Sequence, residues 1–334
     1  MTQTRHPGLI VLLASVAALV GAPAGAGERA GARLELVSRI AVEGPPSSVA
    51  LHDGAVWVSL GTEGIVRLDQ SGKRVAHLRP GGAVVALATG FGSVWALDVF
   101  GDRLLRLDPE TNSVAAAIPV RGLPTGLAVA HGSIWVASQL ESTLSRIDPA
   151  TGSELATVRF GEGELWPGGI AATRDGVWVV SGGGNAVSRI DPAGTSVTAV
   201  LSVRGARTLA PARNGVWVGR AGRLPLLRIE RNRPVVTAAL PGRGGDGFGP
   251  SLAANGSLWV AYAGSVARLD PLSGALQAEL QLPRPQHLSA IATGRDVWTA
   301  DQTADAVLRL RNPSAPARKA AAPITHHGRE GSHR

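Results

Sequence analysis

The sequence predicts an all-β protein built as a seven-bladed β-propeller, with four antiparallel strands in each blade. Three observations predict this fold. Seven of the eight tryptophans recur every 38 to 43 residues, at positions 57, 95, 135, 178, 217, 259 and 298. The 43 glycines and 22 prolines imply many tight turns and few long helices. Hydrophobic residues make up 44% of the chain and charged residues 17%, which is enough apolar surface for a large core.

Each repeat contains two phrases in a fixed order. The first ends in tryptophan, as in His131-Gly-Ser-Ile-Trp135, and the second follows about ten residues later, as in Ser145-Arg-Ile-Asp-Pro149. Blades five and seven carry degenerate versions of the second phrase, Arg228-Ile-Glu230 and Arg309-Leu-Arg311. Because self-similarity at a fixed period is the signature of repeat architectures, these phrases mark seven copies of one structural unit.

Four apolar segments of strand length lie within each repeat, separated by turn-forming residues. In the third repeat they are Gly126–Ala130, Ser133–Ala137, Thr143–Ile147 and Glu154–Phe160. Asp148 and Pro149 favour a type I turn before the fourth strand. Four antiparallel strands in about 40 residues are typical of a propeller blade. A helical solenoid would instead need a 3.6-residue period and fewer glycines and prolines.

The two ends of the repeat region predict how the ring closes. The last repeat stops after its third strand, Val307–Leu310, so a fourth strand is missing. The apolar segment Leu34–Val42 resembles the fourth strands Val114–Val120 and Val197–Val203. We therefore expect the N-terminal strand to complete blade seven. This pairing removes two exposed strand edges and makes residues 33–311 a single domain.

The terminal segments lie outside the predicted propeller. Residues 1–26 combine Arg5 and His6, an apolar stretch and a run of small residues, which is typical of a secretory signal peptide. An uncleaved membrane anchor is the alternative, although the uninterrupted apolar part is short for a bilayer. Residues 312–334 are rich in alanine, proline, arginine and histidine without periodicity, and we expect a disordered basic tail. These features predict a secreted, extracytoplasmic protein without stable membrane insertion.

Composition excludes several classes of protein. The chain has no cysteine, which excludes disulfide scaffolds, thiolate metal sites, thiol nucleophiles and a lipid-modified cysteine. The net charge is +8, but the tail and the signal segment carry about half of it and leave about +4 on the folded part. So weak a positive field argues against a nucleic-acid partner. We expect the folded protein to be a monomer.

The repeated side chains are expected to hold the ring together. The seven tryptophans alternate with aliphatic residues and should pack between neighbouring blades, although an aromatic sugar platform is the functional alternative. In six repeats an arginine lies two residues before an aspartate or glutamate, as Arg146 and Asp148 do. A strand period of two places both side chains on one face. We therefore predict a structural ion pair within each of these strands.

Function should lie where the copies differ, at the loops around one mouth of the central channel. Two sets of positions should reach this mouth: the third residue after each repeated tryptophan, and the residue two places before the first apolar position of each inner strand. The first set comprises Leu60, Asp98, Ser138, Ser181, Arg220, Tyr262 and Asp301. The second set comprises Ser47, Val85, Thr125, Gly168, Arg207, Pro250 and Ser289.

These positions predict a basic and an acidic wall. Blade five contributes Arg207 and Arg220, whereas blades two and seven contribute Asp98 and Asp301. We hypothesise that the mouth binds a small anionic or zwitterionic ligand, with the two arginines as the anion clamp. Asp98, Tyr262 and Trp166 complete the predicted ligand-binding set, Trp166 being the tryptophan outside the repeat phrase. The alternative is that these charges only solvate the channel mouth.

The combination G-x-[VIL]-W-V followed by [VSL]-R-[LI]-D-P-x-[TS]-G resembles YVTN-type and streptogramin (virginiamycin) B lyase-like seven-bladed propellers, over roughly Leu34 to Leu310. The lyases of that family are metal-dependent enzymes that linearise a cyclic depsipeptide with a histidine base. Here no histidine occupies the second set of positions, and His287 lies two residues before Ser289. The resemblance therefore implies His287 and Asp301 as alternative catalytic residues, with Mg²⁺ as the alternative cofactor.

The sequence favours a secreted binding or interaction module without a cofactor over an enzyme, and it leaves the choice between the two open. Its channel mouth would take a small molecule or a peptide, or its faces would take a protein partner. The alternative is a divalent-metal-dependent lyase or hydrolase that acts on a cyclic depsipeptide or a lactone. A third possibility is a cell-envelope scaffold without a small-molecule site, which would show no response to ligands.

Overall fold

A computed structural model describes residues 33–161, 169–222, 224–240, 250–283 and 287–311. These residues form seven four-stranded antiparallel sheets, and each sheet is one blade. The first strand of each blade packs beside the first strand of the next, and the series returns from blade seven to blade one. The predicted seven-bladed propeller is confirmed. The predicted signal peptide, residues 1–26, and tail, residues 312–334, lie outside the described residues.

The strands are numbered β1 to β28 in chain order. Blade one contains β2 (Ser48–His52), β3 (Ala55–Ser59), β4 (Ile65–Leu68) and β5 (Arg74–Leu78). Blade two contains β6 (Val84–Gly90), β7 (Ser93–Asp98), β8 (Arg103–Asp108) and β9 (Ser113–Pro119). Blade three contains β10 (Pro124–Ala130), β11 (Ser133–Ser138), β12 (Thr143–Ile147) and β13 (Glu154–Arg159). Blade four contains β14 (Ile170–Thr173), β15 (Gly176–Ser181), β16 (Ala186–Ile190) and β17 (Val197–Ser202).

The last three blades follow the same plan. Blade five contains β18 (Ala206–Ala212), β19 (Gly215–Arg220), β20 (Leu226–Glu230) and β21 (Arg233–Ala238). Blade six contains β22 (Ser251–Ala254), β23 (Leu258–Tyr262), β24 (Ser265–Leu269) and β25 (Leu276–Gln281). Blade seven contains β26 (Leu288–Thr293), β27 (Asp296–Asp301), β28 (Ala306–Arg311) and β1 (Glu35–Ala41). Within the described residues, no helix is long and apolar enough to cross a membrane.

The N-terminal strand closes the ring. Strand β1 pairs antiparallel with β28, from Glu35 opposite Arg311 to Ala41 opposite Ala306. The Val42 amide extends the pairing by donating to the Asp305 carbonyl at 2.8 Å. Blade seven therefore receives the fourth strand that its own repeat lacks, as predicted, and both ends of the repeat region are held in one sheet.

The apolar core is divided among the blade junctions. The described residues form seven hydrophobic clusters, and each joins two adjacent blades. One cluster combines Trp135 of blade three with Val177, Val179 and Ile190 of blade four. Each repeated tryptophan lies in such a cluster and is at most 4% exposed. The prediction that these tryptophans pack between neighbouring blades is confirmed.

The repeated arginines stack on tryptophan instead of forming most of the predicted ion pairs. Their guanidinium carbons lie 5.4 to 5.9 Å from the tryptophan ring of the same blade at Arg67, Arg106, Arg146, Arg189 and Arg309. Such a cation over an indole face is attracted by the ring quadrupole. We call the stacked tryptophan and arginine the shelf of their blade. Of the predicted pairs in the described chain, the structure gives an ion pair to Arg228 and Glu230, at 3.0 Å.

The repeated aspartates fold the turn that follows the third strand. Asp148 Oδ1 accepts hydrogen bonds from the amides of Ala150 and Thr151, both at 2.8 Å. The Thr151 and Ala150 amides hold the pKa of Asp148 below its usual value. The predicted pairing with Arg146 was wrong because β12 ends at Ile147. Beyond that residue the two-residue period no longer applies, and nearby backbone amides compete for the carboxylate.

Replacing one inter-blade tryptophan should destabilise the whole ring. We expect Trp135→Ala to cost roughly 3 to 5 kcal/mol, because it leaves a cavity between blades three and four. Leu140→Ala is the matched control, since this side chain of the same blade is 71% exposed. Thermal unfolding should show a clearly lowered midpoint for Trp135→Ala and an unchanged one for Leu140→Ala. Equal midpoints for the two variants would contradict the assignment of the core to the junctions.

Candidate functional site

The starts of the inner strands surround one mouth of the central channel, where the structure has a cavity of about 330 Å³. This volume falls within the range of small-molecule sites in proteins. Aliphatic side chains such as Val85 and Leu127 form part of the wall. Hydroxyl side chains form much of the remainder, at Ser47, Ser48, Thr125, Thr208, Ser251 and Ser289. None of the described residues that line the cavity carries a formal charge.

Hydroxyl groups at this mouth also join neighbouring blades. At four consecutive junctions, a serine or threonine hydroxyl donates to a backbone carbonyl at or just before the inner strand of the next blade. These bonds run from Thr208 to Pro250, from Ser251 to Leu288, from Ser289 to Pro46 and from Ser59 to Val84, at 2.5 to 3.2 Å. We call these four hydroxyls the hydroxyl belt. Because each proton points at a carbonyl, the oxygens of Thr208, Ser251 and Ser289 can only accept hydrogen bonds from a ligand.

The second set of predicted positions lies at this mouth as expected. Ser47, Val85, Thr125 and Ser289 line the cavity directly. In blades five and six the cavity is instead lined by the next residue, Thr208 or Ser251. A one-residue register shift at the start of the inner strand is shared by blades two, three, five and seven, and in blade five it falls at Arg207. Gly168 lies outside the described residues.

The first set of predicted positions is mostly buried. Six of its members are at most 2% exposed: Leu60, Asp98, Ser138, Ser181, Tyr262 and Asp301. They lie at the ends of the second strands, where they support the loops of the mouth from inside the protein. Arg220 is the half-buried member of the set. The expectation that all seven side chains reach the channel was therefore wrong for these six buried residues.

Asp98 anchors two loops of blade two. Its Oδ1 accepts hydrogen bonds from the amides of Ala83 and Gly101 at 2.9 and 3.0 Å, and its Oδ2 pairs with Arg103. Burial raises the pKa of Asp98, but the Arg103 pair and the two amides lower it by more, so that it lies below the usual value. A Cβ on Gly82 or Gly101 would lie 2.1 Å from this carboxylate. Both loops therefore need glycine at these positions.

Asp301 holds the equivalent position in blade seven and is paired less completely. Its Oδ2 accepts from Arg39 Nη1 at 3.1 Å, so a side chain of the closing strand β1 neutralises it. Its buried Oδ1 has no hydrogen-bond partner among the described residues. Burial raises the pKa of Asp301, and Arg39 with the amides of Ala304 and Thr303 lowers it by less, so the pKa lies above its usual value.

The structure brings His287 next to Asp301. His287 directly precedes β26, whose first residue Leu288 pairs with Asp301. The Gln302 amide donates to the His287 carbonyl at 3.0 Å, and the His287 amide donates to Thr303 Oγ1 at 2.9 Å. The described residues contain no group of three or more histidine, aspartate or glutamate side chains that could hold a metal ion. With Arg39 beside Asp301, the described residues do not fit a Mg²⁺ ion.

Arg207 and Arg220 lie at the same end of blade five. Ala206 pairs with Arg220 across β18 and β19, so Arg207 is one residue from this pair. Arg220 Nε donates to the Arg204 carbonyl at 2.9 Å. Arg207 Nη1 donates to the Ala206 carbonyl at 2.8 Å and lies against Gly184 of blade four, where a Cβ would be 2.3 Å away. Both arginines are half-buried, and Arg207 directly precedes Thr208, which lines the cavity.

Tyr262 of blade six contacts the same end of blade five. Its hydroxyl donates to the Gly222 carbonyl of blade five at 2.5 Å, and its side chain is 2% exposed. Trp166 and Arg223 lie outside the described residues. Of the predicted ligand-binding residues, the structure therefore brings Arg207, Arg220 and Tyr262 together around blade five and leaves Asp98 across the ring in blade two. Their roles in ligand binding stay predictions.

The predicted contrast between a basic and an acidic wall is weaker than the sequence suggests. Asp98 and Asp301 are each paired with an arginine inside the protein, Arg103 and Arg39. Their negative charge therefore does not face the channel. Sequence reasoning missed the hydroxyl belt, although Ser or Thr at the start of the inner strands of blades five, six and seven was a visible signal for three of its members.

Comparison with known proteins identifies the fold and no family. No family model matches the sequence, and no curated protein matches it. Among solved structures, streptogramin B lyase matches with a TM-score of 0.71 and 18% identity, over 85% of this chain and 99% of that chain. Hydrazine synthase of Kuenenia stuttgartiensis matches with a TM-score of 0.68 and 13% identity, over 83% and 98%. BamB from Moraxella catarrhalis matches with a TM-score of 0.59 and 12% identity, over 84% and 98%.

The chain is thus a seven-bladed β-propeller with the fold of streptogramin B lyase. At these identities the likeness extends to the fold and not to the chemistry of the site, because one fold hosts many functions.

Removing the charge of Asp98 should destabilise the protein in a pH-dependent way. We expect Asp98→Asn to cost about 1 to 2 kcal/mol at neutral pH, because the Arg103 pair is lost while water partly screens the half-exposed arginine. A depressed pKa in the folded state means that the carboxylate stabilises the fold above its ordinary pKa of 3.8 and loses this effect as the pH falls below it.

Thermal unfolding across pH measures this effect. The wild-type protein should unfold at a higher temperature than Asp98→Asn at neutral pH, and the gap should close as the pH falls below 3.8 and through the lowered pKa of Asp98. The exposed Asp102→Asn in the same loop is the control and should track the wild type. A constant gap at all pH values would show that the side-chain shape, and not the charge, matters at this position.

Proposed function

We propose that this protein is an exported binding module that takes a small zwitterionic or anionic molecule, or a peptide, at the channel mouth. The observation that carries the proposal is the cavity of about 330 Å³, whose lining residue Thr208 directly follows Arg207, next to the pair formed by Ala206 and Arg220. Its floor offers hydroxyl oxygens that accept hydrogen bonds, and its blade-five margin offers guanidinium donors. A ligand with an ammonium or amide donor at one end and a carboxylate at the other matches both.

Export is part of the proposal. It rests on the signal-peptide pattern of residues 1–26. A monomer in the extracytoplasmic space, free of nucleic acid, agrees with the weak net charge of the folded part. A protein partner could use the same mouth by inserting a chain end, because a free terminus carries the same charged groups.

The double substitution Arg207→Ala/Arg220→Ala tests the anion clamp. Ligands are first found as compounds that raise the unfolding midpoint, from a panel of amino acids, carboxylates, lactones and cell-wall peptides. A ligand at 100 times its Kd stabilises by about 2.7 kcal/mol. Loss of charge-assisted hydrogen bonds should then weaken its binding by roughly ten- to a hundred-fold in calorimetry.

Arg204→Ala is the matched control for this experiment. It removes one positive charge from the same loop, but its exposed side chain is not the group that binds Arg220, which uses the Arg204 carbonyl. Binding should be nearly unchanged in this variant. An unchanged Kd in the double variant would refute the clamp, and a panel without any hit would favour a scaffold that has no small-molecule site.

A lyase or hydrolase is the second candidate function. The observations that favour it are the likeness of fold to streptogramin B lyase and the unpartnered Oδ1 of Asp301 beside His287. A histidine near a carboxylate can move a proton if it reaches the reacting group directly or through one water. The described residues do not complete a site for Mg²⁺.

Product formation decides between the two candidates. If the protein is a binding module, a cyclic depsipeptide or lactone should remain intact after incubation with it, with or without added Mg²⁺, as followed by mass spectrometry. A linear product that disappears in His287→Ala would establish the enzyme and its base. A linear product that persists in His287→Ala would establish an enzyme with other catalytic residues.

A further inference from the structure

A second cavity lies at the opposite face, at the junction of blades seven and one. Its volume is about 420 Å³, within the range of ligand sites. The residues that matter below are Asp53, Gln70, Arg295, Asp296, Trp298 and Arg309. The cavity lies over the shelf of blade seven, where the Arg309 guanidinium is 5.5 Å from the Trp298 ring centroid.

At three other junctions, a segment of the next blade covers the repeated tryptophan or the arginine of the same blade. The cap is the turn between the third and fourth strands of the next blade. It accepts hydrogen bonds from the shelf: Arg67 Nη1 to Asn112 Oδ1 at 2.7 Å, Arg146 Nη1 to the Ala193 carbonyl at 3.0 Å, and Trp217 Nε1 to the Pro271 carbonyl at 3.0 Å.

Glycine in the capping turn lies on the indole. A Cβ on Gly194 would lie 2.9 Å from the Trp135 ring, and a Cβ on Gly274 would lie 2.8 Å from the Trp217 ring. No larger residue fits at either position. At these two junctions the turn places a glycine on the indole, whereas the turn of blade two has Asn112 at the corresponding place and offers its side-chain oxygen to Arg67.

The turn of blade one is too short to cap the shelf of blade seven. In blade three the Asp148 amide bonds to the Ser153 carbonyl, whereas in blade one the Asp69 amide bonds to the Lys73 carbonyl, one residue earlier. Gln70 occupies the position that is proline in blades two, three, four and six. Its amide folds back onto its own blade, 2.1 Å from where a Cβ on Gly54 would be. Trp298 lines the cavity beside this short turn and is 4% exposed, the largest value among the repeated tryptophans.

Blade five supports this explanation independently. Its turn is the shortest, with Glu230 pairing directly with Arg233. The shelf beneath it, Trp178 and Arg189, also lines a cavity, of about 160 Å³. A short turn and an open cavity therefore occur together at two junctions.

Hydrogen-bond donors remain available in the larger cavity. Arg309 uses Nε and Nη2 to hold Asp296 Oδ2, both at 2.6 Å. The described chain provides no acceptor for Arg309 Nη1 or for Trp298 Nε1. The Arg309–Asp296 pair is neutral, and the remaining charged residues that line the cavity are one cation, Arg295, and one anion, Asp53. The site therefore selects for backbone-like carbonyl groups and not for a charged ligand.

We propose that the junction of blades seven and one is a second binding site, which takes a peptide turn of the Asp-Pro-x-x-Gly type from a partner polypeptide. A small residue of the turn lies on Trp298, and a backbone carbonyl accepts from Trp298 Nε1 or Arg309 Nη1. This site is on the face opposite the channel mouth and does not depend on the function proposed for that mouth.

Fluorine NMR of the protein labelled with 5-fluorotryptophan tests the proposal. The probe is a cyclic peptide that contains Ile-Asp-Pro-Ala-Thr-Gly-Ser, the sequence of residues 147–153. Trp298→Phe identifies the Trp298 signal among those of the eight tryptophans. The peptide should shift this signal saturably and leave the other repeated tryptophans unmoved, and a cyclic peptide of reversed sequence should have no effect.

Grafting a longer turn should close the site. Replacing Asp69–Lys73 by Asp-Pro-Ala-Thr-Gly-Ser caps Trp298 from within and should weaken peptide binding about ten-fold or more. The same graft in place of Asp108–Ser113 is the matched control, because that turn already has the full length, and binding should persist. Arg309→Lys, which keeps the charge beside Asp296 but lacks Nη1, should weaken binding several-fold without relying on the graft.

Three outcomes would overturn the proposal. The first is a Trp298 signal that does not move at millimolar peptide in the wild-type protein. The second is equal peptide binding by the wild type and the folded blade-one graft. The third is a saturable shift with a neutral disaccharide but none with the peptide, which would make the cavity a sugar site.

Discussion

The contact on which this structure depends is the one between each blade and the next. A tryptophan from one blade enters the apolar cluster of its neighbour, an arginine stacks on that tryptophan, and the neighbouring turn covers the shelf. On the other face, the hydroxyl belt joins the blades at four of the same junctions by hydrogen bonds. Because a ring has no free end once β1 pairs with β28, every blade is held on both sides.

This dependence explains why variation between repeats is an incomplete guide to function. Asp98 and Asp301 differ from their counterparts in other blades, yet both are buried and paired with arginine, which is a structural role. Thr208 and Ser289 have no unusual feature in the sequence. Each nevertheless lines the cavity and also hydrogen-bonds to the next blade. A departure from the repeat opens a site when it removes something that the repeat normally supplies, as the short turn of blade one does.

The sequence was sufficient for the architecture because period, strand length and turn chemistry all repeat seven times. Blade number, the four strands of each blade and closure by the N-terminal strand could be predicted from the Trp spacing and from Leu34–Val42. The pairing of Arg146 with Asp148 could not, because the strand ends between them and backbone amides take the carboxylate. In blade five Thr208 lines the cavity in place of Arg207, one residue earlier, and the turn of blade one beside Trp298 is shorter by one residue. Such single-residue shifts leave the hydrophobic pattern intact and so leave no clear signal in it.

The central claim is that binding occurs where the repeat leaves its own surfaces uncovered. Crystallographic screening of the protein with a library of small amide, carboxylate and alcohol fragments tests this claim most directly. The account predicts that bound fragments gather at the channel mouth beside Thr208 and over Trp298, and that the capped shelves of Trp135 and Trp217 stay free of them. Fragments distributed equally over capped and uncapped shelves, or absent from both cavities, would contradict it.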